Sequence, residues 1–493
     1  MREIDLTTRE GMRTYTRGLL YVMAKAFAET YNGSRIVVNY ALSNAIYCES
    51  PNLEITNEVI QNIRKKMQDI IARNIKIEKI IMDKKAANAF YEKEQNNNGR
   101  LQLISARQKE QIVLYYCEEY YNYFYGEMPD STGFMTVYEI IKYHDGFLVR
   151  YPDKKDPSKL EEFKENHKLL DTFKEYEDIN KILEVNTIYN LNKIIEEKKQ
   201  EELIITAEAL HEKKITEIAN EICKNHKKRV ILIAGPSSSG KTTFAQRLGI
   251  QLKLNKIKPL TISADNYFVT REDTPKDEFG NYDFECIEAV DLDLFNKQLI
   301  DILEGKEVEI PTYDFKTGKK EYLGNKIKLH DDEVLIIEGI HCLNPKFTKE
   351  IPDDEKFKIY VSALTVLNVD YYNRISTTDT RIIRRIVRDS KYRSHKAIDT
   401  LKNWYSITRG EEKYIYPFQE NADVMFNSSL VYELSVLKEY ILPLLGEITE
   451  EQEEYAEARR LYEFISYFEK IPIEYVPRHS IIREFIGGGC FYR

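Results

Sequence analysis

No stretch of this 493-residue chain approaches the roughly 18 consecutive apolar residues that a membrane-spanning helix needs. A helical membrane protein is thereby excluded. The opening segment MREIDLTTREG contains no apolar signal region, which predicts against secretion. Cysteine is sparse: Cys48, Cys117, Cys223, Cys286, Cys342 and Cys490 lie far apart with no C-x-x-C pair. That spacing argues against a zinc site and against a disulfide framework. A reducing cytoplasm is the expected compartment. Positive charge is also in deficit, with 72 Lys and Arg against 81 Asp and Glu and a net charge of −9. A broad nucleic-acid footprint is disfavoured, although a local basic patch can sit inside an acidic whole. Internal repeats are absent, and Asn96-Asn97-Asn98-Gly99 reads as an exposed turn.

What is present is a soluble globular composition, 42% hydrophobic and 31% charged. At roughly 150 residues per domain the length implies two to four units. Two breaks, YPDKKDPSK at 151–159 and KNHKKR at 224–229, divide the chain. Residues 1–155 form one expected unit. Residues 156–227 read as a helical connector, with Leu160, Phe163, Leu169, Leu170 and Phe173 at helical spacing and a charged helix at 195–204. From 228 to about 435, short apolar runs rich in β-branched residues alternate with helical stretches: RVILIAG, PLTISAD, DEVLIIEGI, KFKIYVSA and ADVMFNS. Runs of that kind are strands buried on both faces, so an α/β parallel sheet is expected here. Residues 436–493 are expected to be a helical extension.

The first of those runs leads into GPSSSGKTTF, and Gly235-x-x-x-x-Gly240-Lys241-Thr242 is the P-loop pattern between a strand and a helix. Glycine lets the backbone approach closely, so that N–H groups of Gly235, Ser237, Ser238, Ser239, Gly240, Lys241, Thr242 and Thr243 converge on phosphate oxygens. Lys241 supplies positive charge to the β- and γ-phosphates and Thr242 a hydroxyl for magnesium. Glu338, closing DEVLIIEG, stands where a second metal-holding group is expected, although a strand-end acid also serves to cap a loop. Asp265 ends PLTISAD; beyond the carboxyl end of a neighbouring strand it faces the same crevice, where it can accept the proton of an attacking hydroxyl. RIIRRIVRD places Arg381, Arg384, Arg385 and Arg388 on one helix face, with Arg393 just beyond. Such a cluster repels itself unless an anion neutralises it, so it is expected to close over transferring phosphates; the alternative is an amphipathic surface helix.

With these residues in order, 228–435 resembles the uridine kinase and phosphoribulokinase family of P-loop kinases. GPSSSGKTTF, SADNYF, GNYDFECIEAVD, IPTYDF, IIEGIH and the arginine helix carry the likeness. The resemblance implies an ATP-dependent kinase with magnesium, phosphorylating the 5′-hydroxyl of a ribonucleoside. It makes Asp265 the base and a metal contact, lets Tyr313 line the nucleoside pocket, and forms a lid from the arginines. Arg384 and Arg388 would then act with Lys241 on the phosphoryl group, while Arg381 and Arg393 reach the substrate. Two departures stand out. Glu285-Cys286-Ile287 replaces an Asp-His-Pro, which leaves Glu285 as the acceptor contact, and Gly318 stands where the family has a histidine. Both positions contact ribose and base in the family, so the acceptor stays open to another small alcohol, such as a sugar phosphate or a pantothenate-like acid.

Residues 1–155 resemble the second additional domain of threonyl-tRNA synthetases, an α+β fold, through TYTRGLLYVMAKAF, KKMQDII and YFYGEMPDSTGF. The likeness begins near residue 10, and the small ubiquitin-like domain that often precedes it is expected to be absent. At the synthetase's editing positions stand Arg17, Tyr21, Phe124 and Met128. None of them ligates metal or activates water, so a binding or scaffolding role is expected. A nucleotide-gated RNA-binding protein is the alternative from outside enzymology. A homo-oligomer is expected, with no membrane partner.

Overall fold

A computed structural model describes residues 4–92, 111–124, 126–225 and 227–491. The expected turn at 96–99 lies outside them. The amino-terminal region contains α1 (Arg9–Thr30), β1 (Val37–Ala41), β2 (Ala45–Glu49), α2 (Asn57–Ala72), β3 (Glu78–Asp83), α3 (Lys84–Glu92), β4 (Gln111–Cys117), β5 (Tyr120–Asn122), β6 (Glu139–Tyr143) and β7 (Gly146–Arg150). Its strands make an antiparallel four-stranded sheet, β1-β2-β7-β6, and a three-stranded one, β3-β4-β5. α1 starts on a Thr8 cap whose hydroxyl accepts from the Gly11 N–H. From Leu19 to Phe27 it is buried continuously, as a central helix must be.

Three helices follow: α4 (His167–Ile182), α5 (Ile188–Glu196) and α6 (Gln200–Cys223). Rather than linking two bodies, they cover the next sheet. Ile215, Ile218 and Ile222 of α6 enter the core on one side of it, and Leu169, Leu170 and Phe173 of α4 enter the core on the other. Phe173 also stacks on Tyr40 with ring centroids 4.1 Å apart, tying the amino-terminal sheet to the same core.

The central sheet takes β8 (Val230–Ala234), β9 (Lys258–Ser263), β14 (Glu333–Glu338), β15 (Lys356–Ser362) and β16 (Val424–Asn427), in the order β16-β15-β8-β14-β9, all parallel. The five apolar runs of the sequence are these five strands. Ile231 and Ile233 face one core and Val230, Leu232 and Ala234 the other, so both faces are covered and no polar alternation survives. Between β9 and β14 lie α8 (Leu292–Leu303) and the short strands β10 (Val308–Glu309), β11 (Thr312–Asp314), β12 (Lys319–Glu321) and β13 (Lys326–Ile327). α7 (Lys241–Leu254) leaves β8, α9 (Thr377–Tyr392) and α10 (Ala397–Tyr414) precede β16, and α11 (Glu433–Gly446), α12 (Tyr455–Ser466) and the single turn α13 (Arg483–Ile486) close the chain. Among the described residues no helix is long and apolar enough to cross a membrane.

In the amino-terminal region, the four positions compared with an editing pocket are filled by packing. The Tyr21 hydroxyl donates toward the carbonyls of Tyr115 and Tyr120 at 3.1 and 3.0 Å, and its ring meets Phe124 edge-on. Arg17 donates to the Glu127 carbonyl at 2.7 Å and lies over Gly126, and Met128 is buried. At these four described positions the tyrosine and arginine are engaged on carbonyls, and none is a histidine or cysteine. Incubation with mischarged tRNA should therefore release amino acid no faster than buffer does. Faster release that persists in Lys241→Ala would contradict this reading.

Candidate functional site

Strand order and register assemble the site. β14 lies between β8 and β9, and Glu338 is registered opposite both Ile233 and Ser263. The loop after β8, the end of β14 and the turn after β9 therefore open into one crevice beyond the carboxyl ends of the strands. Lys241 begins α7, and its Nζ donates to the Gly235 and Pro236 carbonyls at 2.9 and 3.2 Å. Gly235 has no room for a side chain, because a Cβ would lie 1.9 Å from the Val361 carbonyl oxygen. Gly240 caps α7 at φ +84°, and Ser238 holds φ +59°, a conformation disfavoured for a side chain. Backbone strain of that kind, about 1–3 kcal/mol, persists only where surrounding contacts enforce it.

Those contacts come from α9, and they correct the expectation for its arginines. Arg381 and Arg384 are both completely buried behind the loop, so neither reaches a substrate or a transferring phosphate. Arg381 is paired with Glu411 of α10; its Nε donates to the Ser237 carbonyl at 3.0 Å, while the Ser237 N–H donates to Glu411 at 3.1 Å. One ion pair thus grips both sides of a single residue's backbone. Arg384 is paired with Glu433 at 2.6 Å and donates to the Ser238 carbonyl at 3.4 Å and to the Ser428 carbonyl at 2.9 Å. The Ser428 hydroxyl in turn donates to the Ser239 carbonyl. The expected neutralising anion is supplied by the chain itself: Glu411 and Glu433 are far from the arginines in sequence, and no local pattern reveals them.

Arg385, Arg388 and Arg393 share an acid next to them in sequence. They surround the buried Asp389 at 3.2, 2.8 and 3.7 Å, and Arg388 and Arg393 lie close enough to Asp265 to oppose the loss of its proton-free form. Burial nevertheless raises the Asp265 pKa above its ordinary value against those arginines and Lys241. Burial, and then repulsion by Asp265, pushes Glu338 up to about 7, with Lys241 and a hydrogen bond from Ser263 opposing. Glu285 is also pushed up to about 7, by burial first and then by Glu411; its Oε2 is enclosed with no hydrogen-bond partner. Gly410 makes room for it, since a Cβ there would lie 2.3 Å from the Glu285 Cβ.

An aromatic wall stands across the crevice. Tyr313 is buried, with ring centroids 5.6 Å from Phe268 and 5.1 Å from Phe315, and the Arg393 guanidinium lies 5.3 Å over Phe315. Gly318 holds φ +72°, and a Cβ there would lie 2.7 Å from Arg271 Cβ. The Arg271 guanidinium donates to the Phe315 carbonyl at 2.6 Å. Arg271 thus occupies the room that a histidine at 318 would need. Sequence reading missed it because it lies 47 residues upstream in an exposed turn.

Glu338 is buried, and Asp265, Glu285 and Lys241 are half-buried around it, close enough for each charge to act on its neighbours. Among the described residues no group of three or more His, Cys, Asp or Glu is arranged to hold a metal alone. Asp265, Glu338 and Thr242, half-buried as the second residue of α7, instead fit a magnesium ion that keeps waters and takes oxygens from a phosphate. A divalent cation would relieve the repulsion that raises the Glu338 pKa.

Two measurements check this geometry. Arg384→Ala should cost about 3–5 kcal/mol in chemical denaturation, since it leaves Glu433 buried without its partner. Arg388→Ala, which leaves Asp389 with two arginines, should cost under about 1 kcal/mol; equal losses would place both arginines in the same kind of environment. For Glu285 the raised pKa means that the folded chain binds the extra proton between about 4.5 and about 7. Its contribution to stability is present below that window and lost as pH rises through it. Glu285→Gln should match the parent near pH 5 and exceed it near pH 8 by roughly 2–3 kcal/mol. An equal difference at both pH values would contradict the burial of this carboxylate.

The model of the phosphoribulokinase / uridine kinase family matches residues 230–434. A uridine kinase of Ureaplasma urealyticum serovar 10 is 28% identical over 196 residues, 40% of this chain and 86% of its own. A solved structure described as a possible uridine kinase from Bacillus stearothermophilus aligns with 44% of this chain and 98% of its own at 21% identity and a TM-score of 0.30. A uridine kinase of Staphylococcus aureus strain JH9 is 30% identical over 197 residues, covering 40% of this chain and 86% of its own. With its P-loop, strand-end acids and arginine helix in one crevice, the chain belongs to the phosphoribulokinase and uridine kinase family of kinases.

Proposed function

We propose that this kinase transfers the γ-phosphoryl group of ATP to the 5′-hydroxyl of a ribonucleoside, with magnesium. The observation that carries this reading is the convergence of half-buried Asp265 and Lys241 on the buried Glu338 at the P-loop, with the rings of Tyr313, Phe268 and Phe315 beside the Asp265 turn. Lys241 leaves its loop carbonyls for the β- and γ-phosphates, which reproduce those contacts with a full negative charge. Asp265 accepts the proton of the attacking hydroxyl; its raised pKa, set by burial, makes it a stronger base than an exposed aspartate. Thr242, Asp265 and Glu338 would hold magnesium, which supplies charge neutralisation at the phosphate oxygens. Arg388 and Arg393 add positive charge from the opposite side. Glu285, with its unpartnered Oε2, takes the ribose hydroxyls, and the aromatic rings stack with the base.

One observation favours a second acceptor class. Arg271 and Arg393 both flank Phe315 at the mouth of the wall, and two guanidinium groups there suit an alcohol that also carries an acid, such as a sugar phosphate.

A panel of nucleosides and acid-bearing alcohols, incubated with ATP and magnesium and read by product mass, separates these readings. A ribonucleoside should gain one phosphoryl group. Asp265→Asn keeps size and loses the base, so turnover should fall by about 10²–10⁴, and Arg388→Ala should lower kcat more than it raises the ATP KM. If Asp265→Asn keeps the parental rate, or if only non-nucleoside alcohols are phosphorylated, the acceptor assignment is wrong.

A further inference from the structure

The carboxyl-terminal tail, which the family resemblance leaves without a role, reaches into the phosphate loop. Thr243 is the third residue of α7, in the first turn, where N–H groups point out of the helix end. The Glu484 carboxylate accepts from that N–H at 3.2 Å and from the Thr243 hydroxyl at 2.7 Å. Ile481 presses on the rim of the same loop: its Cγ2 lies 2.6 Å from where a Cβ on Gly240 would stand. Glu484 is one of several contacts that hold the tail. Ile481, Ile482, Phe485 and Ile486 are buried in the core beside α9 and α11. Arg483 donates to the Ile473 and Val476 carbonyls at 3.0 and 2.6 Å, and Lys391 of α9 donates to the Ile486 carbonyl. Phe485 lies 5.0 Å under the Arg384 guanidinium, one of the groups bracing the loop.

We propose that Glu484 is an internal occupant of the nucleotide site. It stands on donors that a phosphate of the bound nucleotide takes, so that nucleotide enters by displacing this carboxylate. The inference rests on the reading that the loop of Lys241 holds the phosphates of ATP. Donors at the start of a helix attract one anion and cannot serve two at the same distance, because two anions so close repel each other. Departure of the carboxylate loosens the turn α13, whose neighbours Lys391 and Arg384 belong to α9. The helix that carries Arg385 and Arg388 is thereby informed that the nucleotide has arrived. Glu484 is then a determinant of donor affinity supplied by a segment outside the residues 230–434 that the family model matches.

Calorimetric titration with ADP and magnesium tests this on the full chain. Glu484→Gln keeps shape and removes charge, and it should bind ADP at least about tenfold more tightly than the parent. Hydrogen exchange of residues 478–488 in the parent should rise when ADP is added. Equal affinities, or weaker binding by Glu484→Gln, overturn the proposal, as does a tail that becomes more protected with ADP. Lys241→Ala distinguishes the two readings. If ADP binding to the parent survives in Lys241→Ala, or if no variant binds ADP, the phosphate-site reading fails and this inference with it; if binding depends on Lys241 yet ignores Glu484, only the inference fails.

Discussion

The site depends on how the backbone of Ser237 is held. A loop that turns its N–H groups inward toward an anion turns carbonyls outward, and buried carbonyls need donors. Arg381 and Glu411 meet that need from both sides of Ser237, and Arg384 with Glu433 continues the brace to Ser238 and Ser428. Burying two ion pairs stabilises the fold little, because desolvation consumes most of the attraction. Their effect is geometric: they fix a loop whose Ser238 sits at a disfavoured φ, so that the donors are aimed before an anion arrives.

From that brace the charges fall into layers. Behind the loop the arginines are neutralised and silent. In front of it, Arg385, Arg388 and Arg393 share a single Asp389, which leaves net positive charge facing the crevice. Opposite them burial raises Asp265, Glu338 and Glu285, with Asp265 adding to the rise at Glu338 and Glu411 to that at Glu285. The free site is thus under electrostatic tension on both sides. A magnesium nucleotide relieves each, with phosphates against the arginines and the cation against the acids.

Much of this was legible in the sequence. The five strands were, because strands covered on both faces are bare apolar runs, and the P-loop with its two strand-end acids was, because spacing and strand order place them together. The sorting of the arginines was not legible. All lie on one helix face, and what separates Arg384 from Arg388 is position along the axis, against the loop or past it, together with Glu411 and Glu433, which only tertiary packing delivers. Arg271 escaped for the same reason, its partner Phe315 being a contact across a turn. The role of α6 as a cover for the central sheet was likewise hidden, since its buried residues look the same whether they pack on a sheet or on another helix.

The most direct test of the brace replaces both members of one buried pair with apolar residues, Arg381→Met together with Glu411→Leu, and measures ADP affinity. Removal of either partner alone leaves a buried charge and should destabilise the chain, whereas the double change should regain most of that loss, as buried ion pairs exchanged for apolar packing do. If the pair exists to hold Ser237, the restabilised double variant should still bind ADP at least about tenfold more weakly than the parent, because the loop backbone has lost its donor and its acceptor. Recovery of parental affinity along with stability would contradict the account and reduce the pair to an ordinary element of the core.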